Sequence, residues 1–180
     1  YFFESAGFKS FLAPKDYMDV RAFLKIPPAH FDQEVLERLF LMEAIYSFAV
    51  VRCPYSRIIS DYKWAKTKTN DTGYFAKMSF DEFCLDSFDR YETDNNYLAN
   101  HITPQSKFIS PNVNKVFRFE SGLETAVNEV FRDNNLTITG NLSLPAINKS
   151  TDETFVVSSS TKKLIYDFYA DDFENFGYER

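Results

Sequence analysis

Arg52, Arg57 and Ser60 stand in the run Arg52-Cys53-Pro54-Tyr55-Ser56-Arg57-Ile58-Ile59-Ser60, and His30 and His101 are the only two histidines of the chain. A guanidinium offers a planar fork of donors that grips a terminal phosphate through two parallel hydrogen bonds, which a lysine cannot do. A serine hydroxyl nearby adds one more contact. An imidazole, with a pKa near neutrality, suits removal of a proton from a hydroxyl. Anion binding beside proton transfer is the chemistry these residue types describe. Each has a plainer alternative. Arg57 could pair with Asp61 one helical turn on. His30 could be a surface residue at a helix start, and His101 a histidine that orders its loop. Lys63, Lys66 and Lys68 could meet an anionic acceptor or form a solvated helix face. Glu120 reads better as a structural partner than as a site carboxylate.

The elements around the arginines favour the phosphate reading. Tyr46 to Val51 is a short apolar run, expected to be a strand buried on both faces of a parallel sheet. Arg52 stands at its carboxyl end. Pro54 opens a helix to about Lys66, since proline at the first helical position loses no helical hydrogen bond. The amides of that first turn would face an anion placed beyond the strand. His30 follows the Pro27-Pro28 break and precedes a helix expected from an Asp32 cap to about Phe40, a position from which a side chain can be aimed into a cleft.

Elsewhere the pattern alternates strands and helices. Phe8 to Ala13 reads as a short strand, Phe80 to Leu85 as a short helix, and Phe88 to Asn100 as a polar loop over the site. Val116 to Phe119 reads as a second buried strand. Ser121 to Glu124 reads as a capping box before a helix with Leu123, Val127, Val130 and Phe131 on one stripe. Thr137 to Ser150 is irregular, and Thr161 to Tyr169 is a final helix with Leu164, Ile165 and Phe168 inward. The fold class is therefore α/β, a parallel sheet flanked by helices.

The pattern Arg-x-Pro-x-x-Arg-x-x-Ser after a buried strand resembles the 3′-phosphate motif of sulfotransferases that use 3′-phosphoadenosine 5′-phosphosulfate (PAPS), and more narrowly the carbohydrate sulfotransferases of the Golgi and their bacterial relatives. Three later segments agree. His101-Ile102-Thr103-Pro104-Gln105 is similar to the family's His-x-x-Pro-Gln segment. Leu144-Pro145-Ala146-Ile147-Asn148-Lys149-Ser150 is similar to its Leu-Pro-x-x-Asn-Lys-Ser/Thr segment. Tyr169 to Tyr178 resembles its closing Tyr-x-x-Asp-Phe-x-x-Phe-x-Tyr signature. The resemblance implies a P-loop-like sulfotransferase fold with PAPS as co-substrate; two histidines without clustered ligand spacing give no reason to expect a metal. It implies Arg52 and Ser60, with Arg57, at the 3′-phosphate, and His30 as the general base. His101 and Gln105 would lie on the substrate or cofactor side. Tyr169, Asp172, Phe173 and Tyr178 would lock the C-terminal helix onto the sheet.

The family also carries a Lys-Thr-Gly-Gly-Thr-Ser-like loop for the 5′-phosphosulfate, and the 180 residues contain none. The chain begins at Tyr1, so we expect the first strand and that loop upstream, with residues 1–180 forming a single partial domain. A non-catalytic nucleotide-binding or interaction domain of the same fold is the alternative reading.

Composition narrows the partners. A net charge of −6 without a basic run argues against a general nucleic-acid binder, while leaving room for a local anion pocket. A hydroxyl acceptor, carbohydrate above all, is the expected partner. The 20 Phe and 11 Tyr mostly build a core. Two cysteines make neither a disulfide framework nor a zinc site. No apolar run reaches the ~20 residues of a membrane span, so a membrane is expected only through a missing N-terminal segment. Low cysteine use favours a bacterial cytoplasmic location over the Golgi lumen. The sequons at Asn70, Asn135, Asn141 and Asn148 would be usable only in a secretory protein.

Overall fold

The apolar run before Arg52 forms a strand, β1 (Phe48–Val51), in a computed structural model that describes residues 33–34, 46–68, 73–137 and 156–180. It pairs in parallel with β2 (Lys115–Arg118), in register from Phe48 opposite Lys115 to Val51 opposite Arg118. Helix α1 (Pro54–Lys68) leaves β1 directly behind Arg52. Helix α2 (Phe80–Thr93) follows, then two short 3₁₀ turns, Tyr97–Asn100 and Gln105–Lys107, before β2. Helices α3 (Leu123–Asp133), α4 (Ser159–Phe168) and α5 (Ala170–Phe176) complete the described chain. The fold is α/β, with helices around a parallel strand pair, as expected. Gln33 and Glu34 are helical, in agreement with a helix after Asp32. The strand at Phe8 to Ala13, His30 and the segment Leu144 to Ser150 lie outside the described residues.

The main core lies where α1, α2, α4 and α5 meet. Ile58, Tyr62, Phe83, Ile102, Ile165, Tyr169 and Phe173 are buried there together. Spacings of three and four residues put Ile58, Tyr62 and Ala65 on one face of α1. Phe80, Phe83, Cys84, Ser87 and Phe88 form the matching stripe of α2. That stripe also corrects the expected boundary. The helix does not stop at Leu85 but runs to Thr93, because Phe88 continues the period and stacks on Phe168 with ring centroids 4.0 Å apart. The expected loop over the site shrinks accordingly.

Three further corrections concern ends and faces. The capping box sits at the start of α2, where Ser79 and Glu82 exchange hydrogen bonds. Ser121 does not cap α3. Gly122, at φ 90° and ψ 131°, takes the capping position and has no side chain to offer. Val127, Val130 and Phe131 are buried as expected, whereas Leu123 is not. The final helix ends at Phe168, and a second one, α5, continues from Ala170. Finally, β1 is not sealed on both faces. Val51 is buried, but Val50 is 38% exposed, because the cluster of Phe117, Ala126 and Val130 on its side is small.

Candidate active site

The carboxyl end of β1 is held by side chains from distant parts of the chain. Gln105 clasps the main chain of Arg52 at both ends of one residue: the Arg52 amide donates to Gln105 Oε1 and Gln105 Nε2 donates to the Arg52 carbonyl, each at 2.8 Å. Gln105 is itself fixed by Asp172, which is fully buried and accepts from the amides of Gln105 and Ser106, each at 2.8 Å. The Tyr178 hydroxyl lies 3.2 Å from the Val51 carbonyl and 3.0 Å from Glu120 Oε2. Glu120 Oε1 accepts the Cys53 amide at 2.8 Å. The closing aromatic and acidic residues thus lock the C-terminal helix onto the sheet, and they do so at the strand end that bears Arg52.

The two amides just ahead of the first turn of α1 have partners, Gln105 for Arg52 and the Glu120 carboxylate for Cys53. Polar side chains stand beside them. Arg52 Nε donates to Ser56 Oγ at 3.0 Å, and its guanidinium stands 5.1 Å from the centre of the Phe119 ring. Ser60 follows Ser56 by one further turn of α1 and is half-buried. Arg52, Ser56 and Ser60 therefore follow one another with a spacing of four, and the Ser56 hydroxyl accepts from Arg52 and donates to the Cys53 carbonyl at 3.1 Å. The repeat of four residues that links Ser56 to Arg52 and Ser60 is plain in the sequence. Glu120 is the neighbouring negative charge. Burial pushes its carboxyl up, but the amides of Cys53 and Glu120, the Tyr178 hydroxyl and the Arg52 charge outweigh that and hold it below its ordinary value.

Arg57 does not pair with Asp61. Its Nη2 donates to the His101 carbonyl at 2.7 Å, and its Nη1 lies 4.0 Å from Asp172. Nη1 is buried and has no hydrogen-bond partner among the described residues. Asp61 turns to His101 instead, with Oδ1 3.3 Å from the imidazole Nδ1. Trp64 stacks on the same ring at 4.7 Å and 12°. Arg57, Asp61 and Trp64 are thus one stripe of α1, at positions i, i+4 and i+7, and all three hold one residue, His101. The roles of Asp61 and Trp64 were not visible without the loop that brings His101 to the helix.

Over residues 13–179 the chain matches the sulfotransferase family. The chain belongs to the sulfotransferase family. No curated protein and no solved structure matches it. Sulfuryl transfer is the chemistry that membership brings, and in this sulfotransferase the matched stretch contains every residue placed above. Lys66, one of the lysines considered for an anionic acceptor, donates instead to the Tyr62 hydroxyl at 3.2 Å. Lys107 is exposed. Among the described residues of the sulfotransferase no helix is long and apolar enough to cross a membrane.

Proposed function

We propose that this sulfotransferase moves a sulfuryl group from PAPS to a hydroxyl of a carbohydrate acceptor. The observation that carries the donor is Arg52 at the carboxyl end of a parallel strand, with Ser60 two turns along the helix behind it, the place where α/β folds bind nucleotides. Arg52 and Ser60 would take the ribose 3′-phosphate. Arg57, whose buried Nη1 has no hydrogen bond among the described residues and only the Asp172 carboxylate at 4.0 Å, fits an anion in the same position, since an unmatched buried N–H costs about 1–3 kcal/mol until something accepts from it. The 3′-phosphate is also what separates PAPS from ATP, so these contacts would set donor choice.

Transfer would be in line. The acceptor oxygen bonds to sulfur, the bond from sulfur to the 5′-phosphate oxygen breaks, and the acceptor proton leaves to a base. The products are a sulfate ester and adenosine 3′,5′-bisphosphate. As in phosphoryl transfer, catalysis rests on positioning and on positive charge around the transferring group. His30 is the residue we assign to the proton, on the resemblance of its position before β1. His101, fixed through Nδ1 by Asp61, is the rival.

The test combines binding and turnover. Adenosine 3′,5′-bisphosphate should raise the melting temperature, and AMP should do so much less. Radiolabel from ³⁵S-PAPS should pass to oligosaccharides. His30→Ala should cut that transfer by about 10²–10⁴-fold with nucleotide affinity little changed. Equal shifts for both nucleotides would end the PAPS assignment. Nucleotide binding without transfer to any hydroxyl acceptor would leave a binding domain only.

A further inference from the structure

Glu120 stands beside the arginine assigned to the phosphate, where a carboxylate would only repel an anion. The two strands leave the sheet side by side, with Val51 opposite Arg118. Arg52 and Cys53 follow on one, Phe119 and Glu120 on the other. The contacts cross between these two pairs. The Arg52 guanidinium stands 5.1 Å from the centre of the Phe119 ring, and the Cys53 amide donates to Glu120 Oε1 at 2.8 Å. A guanidinium and a carboxylate are thus neighbours, yet they do not close into an ion pair, because Arg52 Nε donates to Ser56 Oγ instead. We propose that Glu120 is a specificity-determining residue of the donor site and accepts a hydrogen bond from the ribose 2′-hydroxyl when Arg52 holds the 3′-phosphate. The inference rests on the PAPS reading and deepens it by naming the group that tells a ribonucleotide from its 2′-deoxy counterpart.

The chemistry of the two groups carries this. A guanidinium only donates and an ionised carboxylate only accepts. A ligand that satisfies both must set an anion next to a hydroxyl. A ribose 3′-phosphate does so, since its 2′-hydroxyl is on the adjacent ring carbon. Carboxylates take ribose hydroxyls in the same way in dinucleotide sites at the carboxyl ends of α/β strands. A ligand with the phosphate and without the hydroxyl would meet the like charge of Glu120 and gain no bond from it.

Both groups have capacity to spare. Among the described residues the Nη nitrogens of Arg52 make no hydrogen bond, and its Nε is the donor already used. The Glu120 carboxylate takes the amides of Cys53 and of Glu120 itself and lies within reach of the Tyr178 hydroxyl. A carboxylate offers about four lone-pair sites, so these donors do not fill it. The Tyr178 hydroxyl has one hydrogen and two acceptors near it, the Val51 carbonyl at 3.2 Å and Glu120 Oε2 at 3.0 Å. When it turns to Val51, Oε2 is open to a ligand. Glu120 is exposed, so a ligand reaches it, and the Cys53 amide already holds the carboxylate in place, so little further order is lost on binding. Phe119 does the same for the guanidinium by lying against it.

The experiment is calorimetry on the whole protein at neutral pH, with adenosine 3′,5′-bisphosphate and its 2′-deoxy analogue as the probes. The unmodified protein should hold the deoxy analogue at least about tenfold more weakly, as expected for one hydrogen bond to a charged group. Glu120→Gln keeps an acceptor for the Cys53 amide and loses the charge. It should cut that ratio at least about threefold, chiefly by weakening the ribonucleotide, since a charged hydrogen bond is worth roughly twice a neutral one. Ser60→Ala, which removes a proposed phosphate contact, should weaken both nucleotides by the same factor and keep the ratio. A carboxylate that served the frame alone would weaken both nucleotides equally when replaced, so an unchanged ratio in Glu120→Gln would overturn the assignment. A ratio that fell as far in Ser60→Ala would overturn it too. Equal affinity of the unmodified protein for the two nucleotides would do so without any variant and leave the donor reading standing. Binding of neither nucleotide would overturn the donor reading and this one with it.

Discussion

The two ends of the first two turns of α1 solve the same problem differently. At the start of the helix nearly every polar group has a partner at close to 2.8 Å: the Arg52 amide and carbonyl on Gln105, the Cys53 amide on Glu120, the amides of Gln105 and Ser106 on Asp172. One turn on, Arg57 Nη1 and Asp61 Oδ2 are buried without a hydrogen bond among the described residues. A saturated network has little to gain from a ligand, whereas an unsaturated one does, because a ligand that supplies the missing partner removes a standing cost. The clasp is therefore the frame, and the face that holds Arg57 is the one with unmatched groups, where the proposed nucleotide would gain binding energy.

The largest expected effect breaks the frame. Asp172→Ala leaves two amides without an acceptor and removes the carboxylate nearest Arg57. Loss of one partner from a buried charged network costs about 3–5 kcal/mol, so urea unfolding should show a fall of that order. A fall below about 1 kcal/mol would mean that the clasp is decoration. The next effect sharpens the comparison. Arg52→Ala should weaken adenosine 3′,5′-bisphosphate binding by about 1.5–3 kcal/mol, the worth of a hydrogen bond to a charged group. Arg57→Lys keeps the charge and loses the fork, and calorimetry should show a loss of similar size. Wild-type affinity in Arg57→Lys would show that the unmatched N–H does not face the nucleotide.

The smallest effect is a pH dependence. Folding lowers the Glu120 pKa, so the folded state favours the carboxylate. Its contribution to stability is present above the ordinary glutamate value of about 4.3 and fades as pH falls through the lower folded value. Glu120→Gln should flatten that part of the acid limb in a plot of melting temperature against pH. An unchanged acid limb would remove Glu120 from the frame.

Local signals were readable, and distant ones were not. The strand, the arginine and the proline that opens α1 follow each other in one short run, so their order alone located the strand end and the helix start. The stripe of α2 was cut short because Asp86, Asp89 and Asp94 around Phe88 dilute its apolar character, and only Phe168 on another helix shows what Phe88 is for. The capping box at Ser121 failed on one neighbour, since Gly122 already occupied the capping position. The clasp had no local signature. Gln105 lies 53 residues from Arg52 and Asp172 lies 67 from Gln105, and no periodicity connects them. Resemblance gave the segments that meet, but not that Gln105 grips the main chain of Arg52.

Tyr178 reaches the carbonyl of Val51 across 127 residues of chain. During synthesis at about 5–20 residues per second, the strand end is therefore made roughly 6–25 seconds before the hydroxyl that closes it. Through that interval Arg52 is on a strand end whose C-terminal clamps do not yet exist, and the proposed anion site cannot be in its final form. The order of manufacture thus acts as a timer. A ribosome-bound chain ending before α5 would carry both arginines and still lack the frame that fixes the main chain around Arg52.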